Sequence, residues 1–416
     1  MTKCNLPEVV VTGVGVTASI GQGKEDFASS LLSGRHAFDV MKRSGRQKDS
    51  RFIGAEIASL SYPDRLSKKM LRKASFSSRA ALVTLTEAWE EAELDDADSS
   101  RIGLVVGGSN FQQRENFEVY ERYQDRSGFI SPAYGLSFMD SDLCGICTDQ
   151  FGITGLAYTV GGASVSSYQL AVIHAIQQVL SGEVDTCIAL GALMDLSYME
   201  CEALRALGAM GTDKYADEPE KACRPFDQNR DGFIYGESCG ALVIARKETA
   251  LRRGLKPYAA LSGWSIKLDG NRNPDPSLEG EIHVIQKALE RARLLPEDID
   301  YINPHGTGSF IGDEIELKAL RACRLSHAYI NATKSITGHG LSAAGIVEII
   351  SVLLQMKKSA LHPSRNLDHP IDDSFHWVNE KSISYRIKNA LSLSMGFGGM
   401  NTAVCIQNIE KCGGES

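Results

Sequence analysis

The chain is predicted to be an α/β protein, on two observations. Apolar, β-branched runs alternate with helical stretches along its length. One helix–loop–strand unit also occurs twice, at an offset of 200 residues. Ala88, Glu90, Ala92, Leu94, Asp98, Ile102, Gly108 and Ser109 recur as Ala288, Glu290, Ala292, Leu294, Asp298, Ile302, Gly308 and Ser309. That is eight identities in 22 aligned positions, where composition alone gives roughly one or two. The expectation is a duplicated fold with its seam near residue 250, an N-terminal half over 1–250 and a C-terminal half over 251–410.

Each element has its own signal. Val9 to Val16 is β-branched and broken by glycines, as in a buried strand running into a turn. Phe76 to Leu94, rich in Ala, Leu and Glu, is helical, and Arg101 to Val106 is a strand. Val165 to Leu180 is apolar on nearly every face, which predicts a helix buried at the centre of a domain. Val184 to Leu190 follows as a strand. The second half repeats the alternation: helix from Glu281 to Leu294, strand from Ile299 to Asn303, apolar helix from Ile346 to Met356, strand from Ala390 to Ser394. The polar end, Lys411 to Ser416, is expected to be disordered.

Bulk properties exclude several classes. The 416 residues, 43% hydrophobic, suffice for one large core or two fused ones. The net charge is -8, and Lys and Arg form no long basic run, so no nucleic-acid partner is expected. No apolar stretch is long enough to predict a transmembrane helix. The first residues lack the apolar core of a signal peptide. Ten scattered cysteines then read as reduced thiols of a cytoplasmic protein.

Three segments carry chemistry. In Ala157 to Ser167, A-Y-T-V-G-G-A-S-V-S-S, Gly161 and Gly162 permit a tight turn, and Ser164 stands where the apolar helix begins. Unpaired N–H groups and the helix dipole favour negative charge at such a point. A cysteine there would become a thiolate, whereas a serine hydroxyl stays protonated without a base in contact. An N-cap role is therefore favoured for the Ser164 side chain, with its backbone N–H free to serve as an oxyanion donor. His305, in N-P-H-G-T-G (Asn303 to Gly308), follows a strand; His339, in K-S-I-T-G-H-G-L-S-A-A-G (Lys334 to Gly345), precedes a buried helix. Two of nine histidines inside glycine-flanked loops suggest imidazole N–H donors converging on one carbonyl oxygen.

These segments resemble the three active-site blocks of β-ketoacyl synthases, the condensing enzymes of fatty-acid and polyketide synthesis. Two more blocks match: R-P-F-D-Q-N-R-D-G-F-I-Y-G-E-S (Arg224 to Ser238), with Ser238 in place of a usual Gly, and S-M-G-F-G-G-M-N (Ser394 to Asn401), with Met400 in place of a usual Thr. The resemblance spans essentially the whole chain. It implies the thiolase-like fold, a duplicated αβαβα body of five layers. It further implies that His305 and His339 hold the thioester oxygen, and that Lys334 tunes His305. Phe397 becomes the gating aromatic, with its backbone N–H as the second oxyanion donor beside Ser164. Phe226 would line the pocket, and Thr307 and Ser309, the latter replacing a usual Thr, would contact the phosphopantetheine arm of the substrate. Asp313 and Glu316 match acidic positions of structural role.

Ser164 stands where that family has its nucleophilic cysteine. A site with both histidines and no thiol should decarboxylate malonyl-acyl carrier protein without condensing two acyl chains. Such serine-bearing synthases resemble the malonyl-carrier-protein decarboxylases of bacterial polyketide β-branching, of the bacillaene type. The implied partners are a malonyl-bearing acyl carrier protein, a second copy of the chain in a homodimer, and a hydroxymethylglutaryl-synthase-like enzyme in the pathway. No cofactor is implied beyond the carrier's phosphopantetheine. Two alternatives stay open: a condensing enzyme, with Ser164 a weak nucleophile or an engineered replacement, and a non-catalytic partner subunit like the chain-length factors.

Other patterns fail. Gly13 and Gly15 lack the third glycine of a dinucleotide fingerprint. Asp227, Asn229, Asp231 and Gly232 mimic the start of a calcium loop, but position twelve is Ser238 rather than Glu. Cys144-Gly-Ile-Cys147 has no second ligand pair, so no metal is expected.

Overall fold

The computed structural model describes residues 8–161, 168–273 and 275–409. Its main sheet is built from β1 (Val9–Ala18), β2 (Ile102–Gly107), β3 (Ala157–Val160), β4 (Thr186–Gly191), β5 (Ser238–Arg246) and β6 (Ala259–Leu268). The second half adds β7 (Tyr301–Asn303), β8 (Tyr329–Ile330), β9 (His376–Trp377), β10 (Asn389–Gly396) and β11 (Met400–Asn408). The order is β9-β8-β7-β10-β11-β6-β1-β5-β4-β2-β3. Outward from the β1–β6 contact, where Val10 faces Ala260, both halves run through the same succession of strands: β1, β5, β4, β2, β3 on one side and β6, β11, β10, β7, β8 on the other.

Both faces of the sheet are covered, which explains the unbroken apolar runs. In β2, Val105 faces one cluster while Ile102, Leu104 and Val106 face another. In β11, Val404 and Ile406 join the cluster of Val105, whereas Ala403 and Cys405 join a third. The shared cluster holds the helices α2 (Tyr168–Ser181) and α5 (Ala344–Lys358) between the two half-sheets. Helix α1 (Phe76–Glu91) covers the outer face of the first half. Helices α3 (Leu278–Ala292) and α4 (Phe310–Ala322) cover that of the second. The five layers α-β-α-β-α are those expected.

The sequence repeat is also a spatial one. The β1–β5 pairing shifts register between Val11 and Gly13, and the β6–β11 pairing shifts between Leu261 and Gly263. A Cβ on Gly13 would stand 2.6 Å from the Ala88 carbonyl oxygen, and one on Gly263 2.2 Å from that of Ala288. Each outer helix thus lies directly on a bulged strand, at residues paired by the 200-residue offset.

Element ends differ from expectation for local reasons. Helix α1 stops at Glu91, because Glu93 takes a left-handed conformation and Leu94–Asp96 closes as a 3-10 turn. Helix α3 begins at Leu278, ahead of Glu281, because the Ser277 hydroxyl accepts the Gly280 N–H at 3.1 Å. Helix α4 and the strands β5, β6 and β11 emerge only in the fold. Residues 165–167 of the expected central helix, and the polar end from 410, lie outside the described residues.

Candidate active site

His305 sits two residues beyond β7, on a loop gripped by α4. Glu316 accepts the backbone N–H of His305 at 2.6 Å and of Gly306 at 2.8 Å. Asp313 accepts those of Thr307 and Gly308, each at 3.1 Å, and that of Phe226 at 2.6 Å. Burial pushes Asp313 up to about 6 and Glu316 up to about 8, against the downward pull of these N–H donors. Gly306 has φ 36°, and a Cβ there would stand 2.5 Å from the Phe226 ring. From behind, the Lys334 ammonium donates to the His305 carbonyl and to Glu348. Lys334 and Glu348 are both buried, so His305 is fixed through its N–H and its C=O.

His339 is held by the segment before β5. Its N–H donates to the Ile234 carbonyl at 2.8 Å, and its carbonyl accepts the Gly236 N–H at 3.1 Å. The approach is close: with Gly338 at φ 74°, a Cβ there would lie 2.8 Å from the Gly236 Cα. The Leu341 N–H donates to Nδ1 of His339 at 3.2 Å. A neutral imidazole whose Nδ1 accepts carries its proton on Nε2.

The two rings lie 5.6 Å apart between centroids, inclined at 81°, and Phe233 meets His339 edge-on at 5.2 Å. Burial first, then the Lys334 charge, lowers both imidazoles well below the ordinary histidine range; His339 lowers His305 further. Both are therefore neutral N–H donors at physiological pH. Nδ1 of His305 is buried without a hydrogen-bond partner among the described residues. Both histidines line one cavity of ≈ 290 Å³, with Phe233, Phe397, Thr307 and Ser309 on its walls.

The remaining candidates separate. Phe397 lines the cavity on a Gly396–Gly399 turn. Thr307 and Ser309 also line it, although the Ser309 hydroxyl already caps α4 by accepting the Gly312 N–H at 3.0 Å. Phe226, expected on the pocket wall, instead lies fully buried beneath Gly306, 5.2 Å from the Trp377 ring. The zero-clearance packing at Gly306 puts it behind the histidine loop rather than in the cavity. Lys334 likewise stands behind His305. Ser164 lies outside the described residues.

Asp227, the first residue of the calcium-like run, has its carboxylate occupied: it pairs with Arg224 at 3.1 Å and accepts the N–H groups of Asn229 and His369, each at 2.8 Å. Among the described residues no group of three or more His, Cys, Asp or Glu is placed to hold a metal ion. Cys144 and Cys147 are buried on the helix Ser141–Phe151, where burial raises both thiols. Three residues of the site escaped the sequence. Glu348 has a signal, the lone acid of the helix α5, within its apolar run Ile346–Ile350. Phe233 lies inside a matched block, and Glu281 at the start of α3 resembles an ordinary surface acid until the fold buries it.

Comparison with known proteins agrees with this geometry. Residues 7–250 match the sequence model of the β-ketoacyl synthase N-terminal domain, and residues 258–368 that of its C-terminal domain. The chain is 99% identical over 416 residues, all of both chains, to the Bacillus subtilis (strain 168) protein named polyketide biosynthesis malonyl-ACP decarboxylase PksF. It is 31% identical over 415 residues to the 3-oxoacyl-[acyl-carrier-protein] synthase 1 of Buchnera aphidicola, covering 96% of this chain and 99% of that one. Among solved structures, the ishigamide ketosynthase/chain length factor superposes with a TM-score of 0.87 at 22% identity, over 97% of this chain and 100% of the other. A type II ketosynthase complex with its acyl-carrier protein, AntDE:AntF, gives 0.86 at 24% identity, with the same coverage. With both halves of its length matched, the chain belongs to the β-ketoacyl synthase family.

Proposed function

We propose that this protein decarboxylates malonyl-acyl carrier protein to acetyl-acyl carrier protein, without condensation, in bacterial polyketide synthesis. The observation that carries the reading is the pair of neutral imidazoles, 5.6 Å apart at one cavity. Full-length likeness to a protein named for that reaction supports it.

The malonyl thioester enters with its carbonyl oxygen toward Nε2–H of His339 and the ring of His305. As the C–C bond to the carboxylate breaks, CO₂ leaves and its electron pair spreads onto that oxygen as an enolate. Hydrogen bonds that strengthen with this charge lower the barrier rather than merely binding substrate. Each donor of this kind is worth about 2.7–4 kcal/mol where deletion has been measured. Lys334 positions His305, and after burial its charge helps keep both rings neutral. By the family resemblance, the backbone N–H groups of Ser164 and Phe397 would supply a second oxyanion site, and Thr307 and Ser309 would hold the phosphopantetheine arm. With serine at position 164, no thiolate accepts an acyl chain, so the enolate ends by taking a proton.

The substrate is the malonyl group on the carrier's phosphopantetheine, and the reaction needs no cofactor of the enzyme's own. The solved complex of a ketosynthase with its acyl-carrier protein supports a carrier-protein partner. A homodimer, a hydroxymethylglutaryl-synthase-like pathway partner and a cytoplasmic setting belong to the same proposal, as does the division into halves 1–250 and 251–410. No described helix is long and apolar enough to cross a membrane.

Mass spectrometry of the carrier after incubation with malonyl-acyl carrier protein tests the reading. Accumulating acetyl-carrier is expected. A stable acyl adduct on Ser164 with a β-ketoacyl product would establish the condensing alternative. Activity only beside a second synthase would establish the partner-subunit alternative.

A further inference from the structure

Decarboxylation without condensation, the reading on which this inference rests, has a requirement that the histidines do not meet. The enolate left by CO₂ must gain a proton at C2 to become acetyl. His305 and His339 are held neutral, by burial and by Lys334. Their N–H groups stabilise the oxygen, and a neutral imidazole is too weak an acid to protonate carbon at useful rates. A stronger acid on the same cavity would deliver that proton faster than solvent water.

Glu281 meets that description. It lies in the first turn of α3, is 1% exposed, and lines the cavity that both histidines line. Its Oε2 meets no hydrogen-bond partner among the described residues. The charged groups facing it are Glu316 and Asp313 of α4 and Asp269 after β6, all acidic. Those neighbours are engaged as acceptors: Glu316 and Asp313 by the backbone of the histidine loop, Asp269 by the Asn401 amide at 2.8 Å. Burial, then the three acidic neighbours, push the Glu281 carboxyl well above its ordinary range. A carboxyl buried among acids and facing a cavity is stored as the neutral acid, the form that can give a proton.

We infer that Glu281 is the general acid that protonates C2 of the enolate. Its O–H bond breaks as the C2–H bond forms, the enolate electron pair moves from oxygen to carbon, and the thioester carbonyl is restored. Glu281 is left as a carboxylate and regains a proton from water before the next turnover. The balance is malonyl-carrier plus H⁺ giving acetyl-carrier plus CO₂, with no change of oxidation state and no further reactant.

The experiment uses the full-length protein with malonyl-acyl carrier protein, as wild type, E281Q and E281D. Two quantities are read: kcat for acetyl-carrier formation across pH, and the deuterium content of the acetyl methyl formed in an equal mixture of H₂O and D₂O. General acids typically contribute 10²–10⁴-fold. E281Q should therefore lose roughly 10²-fold in kcat with little change in KM, and E281D should recover part of it. The fall of wild-type kcat at high pH should be absent from E281Q. The deuterium content should shift in E281Q, because water then replaces the carboxylic acid as donor; packing damage alone would not move it. An unchanged deuterium content in E281Q overturns the assignment, whatever happens to kcat. Failure of the wild type itself to form acetyl-carrier overturns instead the decarboxylation reading.

Discussion

The backbone N–H of Leu341 donates to Nδ1 of His339 at 3.2 Å. That one bond sets the tautomer of the ring and leaves its proton on Nε2. Leu341 reaches this position with φ 49°, in the left-handed region that a non-glycine residue seldom adopts. The bend is kept because Leu341 is buried, beside Phe233 and Met194.

The tautomer makes a distinction between two amide replacements. The side-chain amide of Gln can reach the place of Nε2, whereas that of Asn stops near Nδ1. H339Q should therefore keep more acetyl-carrier formation than H339N. H339A and H305A should each fall about 10²–10³-fold in kcat. The double variant should fall by less than the product of the two, since both donors serve one oxygen. Steady-state kinetics with malonyl-carrier checks the order.

Lys334 and Glu348 form a buried ion pair behind His305, each about 1–2% exposed. Removing one partner strands the other charge, which typically costs about 3–5 kcal/mol. K334M should thus lower stability by that order in urea unfolding, and K334M combined with E348L should recover much of it. Both variants should lose activity, because His305 loses the donor to its carbonyl.

The buried histidines should contribute less stability as pH drops below about 6.5. The buried carboxyls Asp313, Glu316, Glu348 and Glu281 act with the opposite sign: the fold raises them, so they take up their protons in the folded state first. Burial lowers His305 and His339 well below the ordinary range and His362 to about 4. Below 6.5 the unfolded chain protonates these rings while the folded one does not, so unfolding takes up protons and becomes easier. Each ring contributes up to about 1.4 kcal/mol per pH unit in that window. The stability is complete above 6.5 and, for His362, is lost progressively down to about 4. Urea unfolding of wild type and H362Q at pH 7, 6 and 5 isolates one ring: the wild type should lose stability relative to H362Q as the pH falls.

The matching bulges predict matching sensitivities. G13A and G263A each drive a methyl into a helix carbonyl, of Ala88 at 2.6 Å and of Ala288 at 2.2 Å. Overpacking of this kind costs about 1–3 kcal/mol, with G263A the worse of the two. A negligible loss in the urea midpoint for either variant would count against the spatial repeat.

Much of the fold was legible because local patterns persist in it. The outer helices α1 and α3, the central helix α5 and the strands β1, β2, β4, β7 and β10 all stand near the stretches that predicted them. Strands β5, β6 and β11 were not, since small and polar residues (Ser238 and Gly240, Ser262 and Gly263, Asn401 and Thr402) interrupt the β-branched apolar runs that marked the others. His305 and His339 were legible from their glycine-flanked loops, and the fold brings their rings together. Phe226 was misplaced because its motif says nothing of which side of Gly306 the ring will take.

By itself the sequence determined the α/β class, the internal repeat, the two histidines and the serine in place of a thiol, because each is written in contiguous residues or a fixed offset. The tertiary structure alone decided that both imidazoles are neutral, that Lys334 acts from behind His305, and that Glu281 becomes a buried acid on the same cavity. Protonation and hydrogen-bond state depend on solvent exclusion and on charges brought close from distant segments. Those are properties of packing, and no local run of residues carries them.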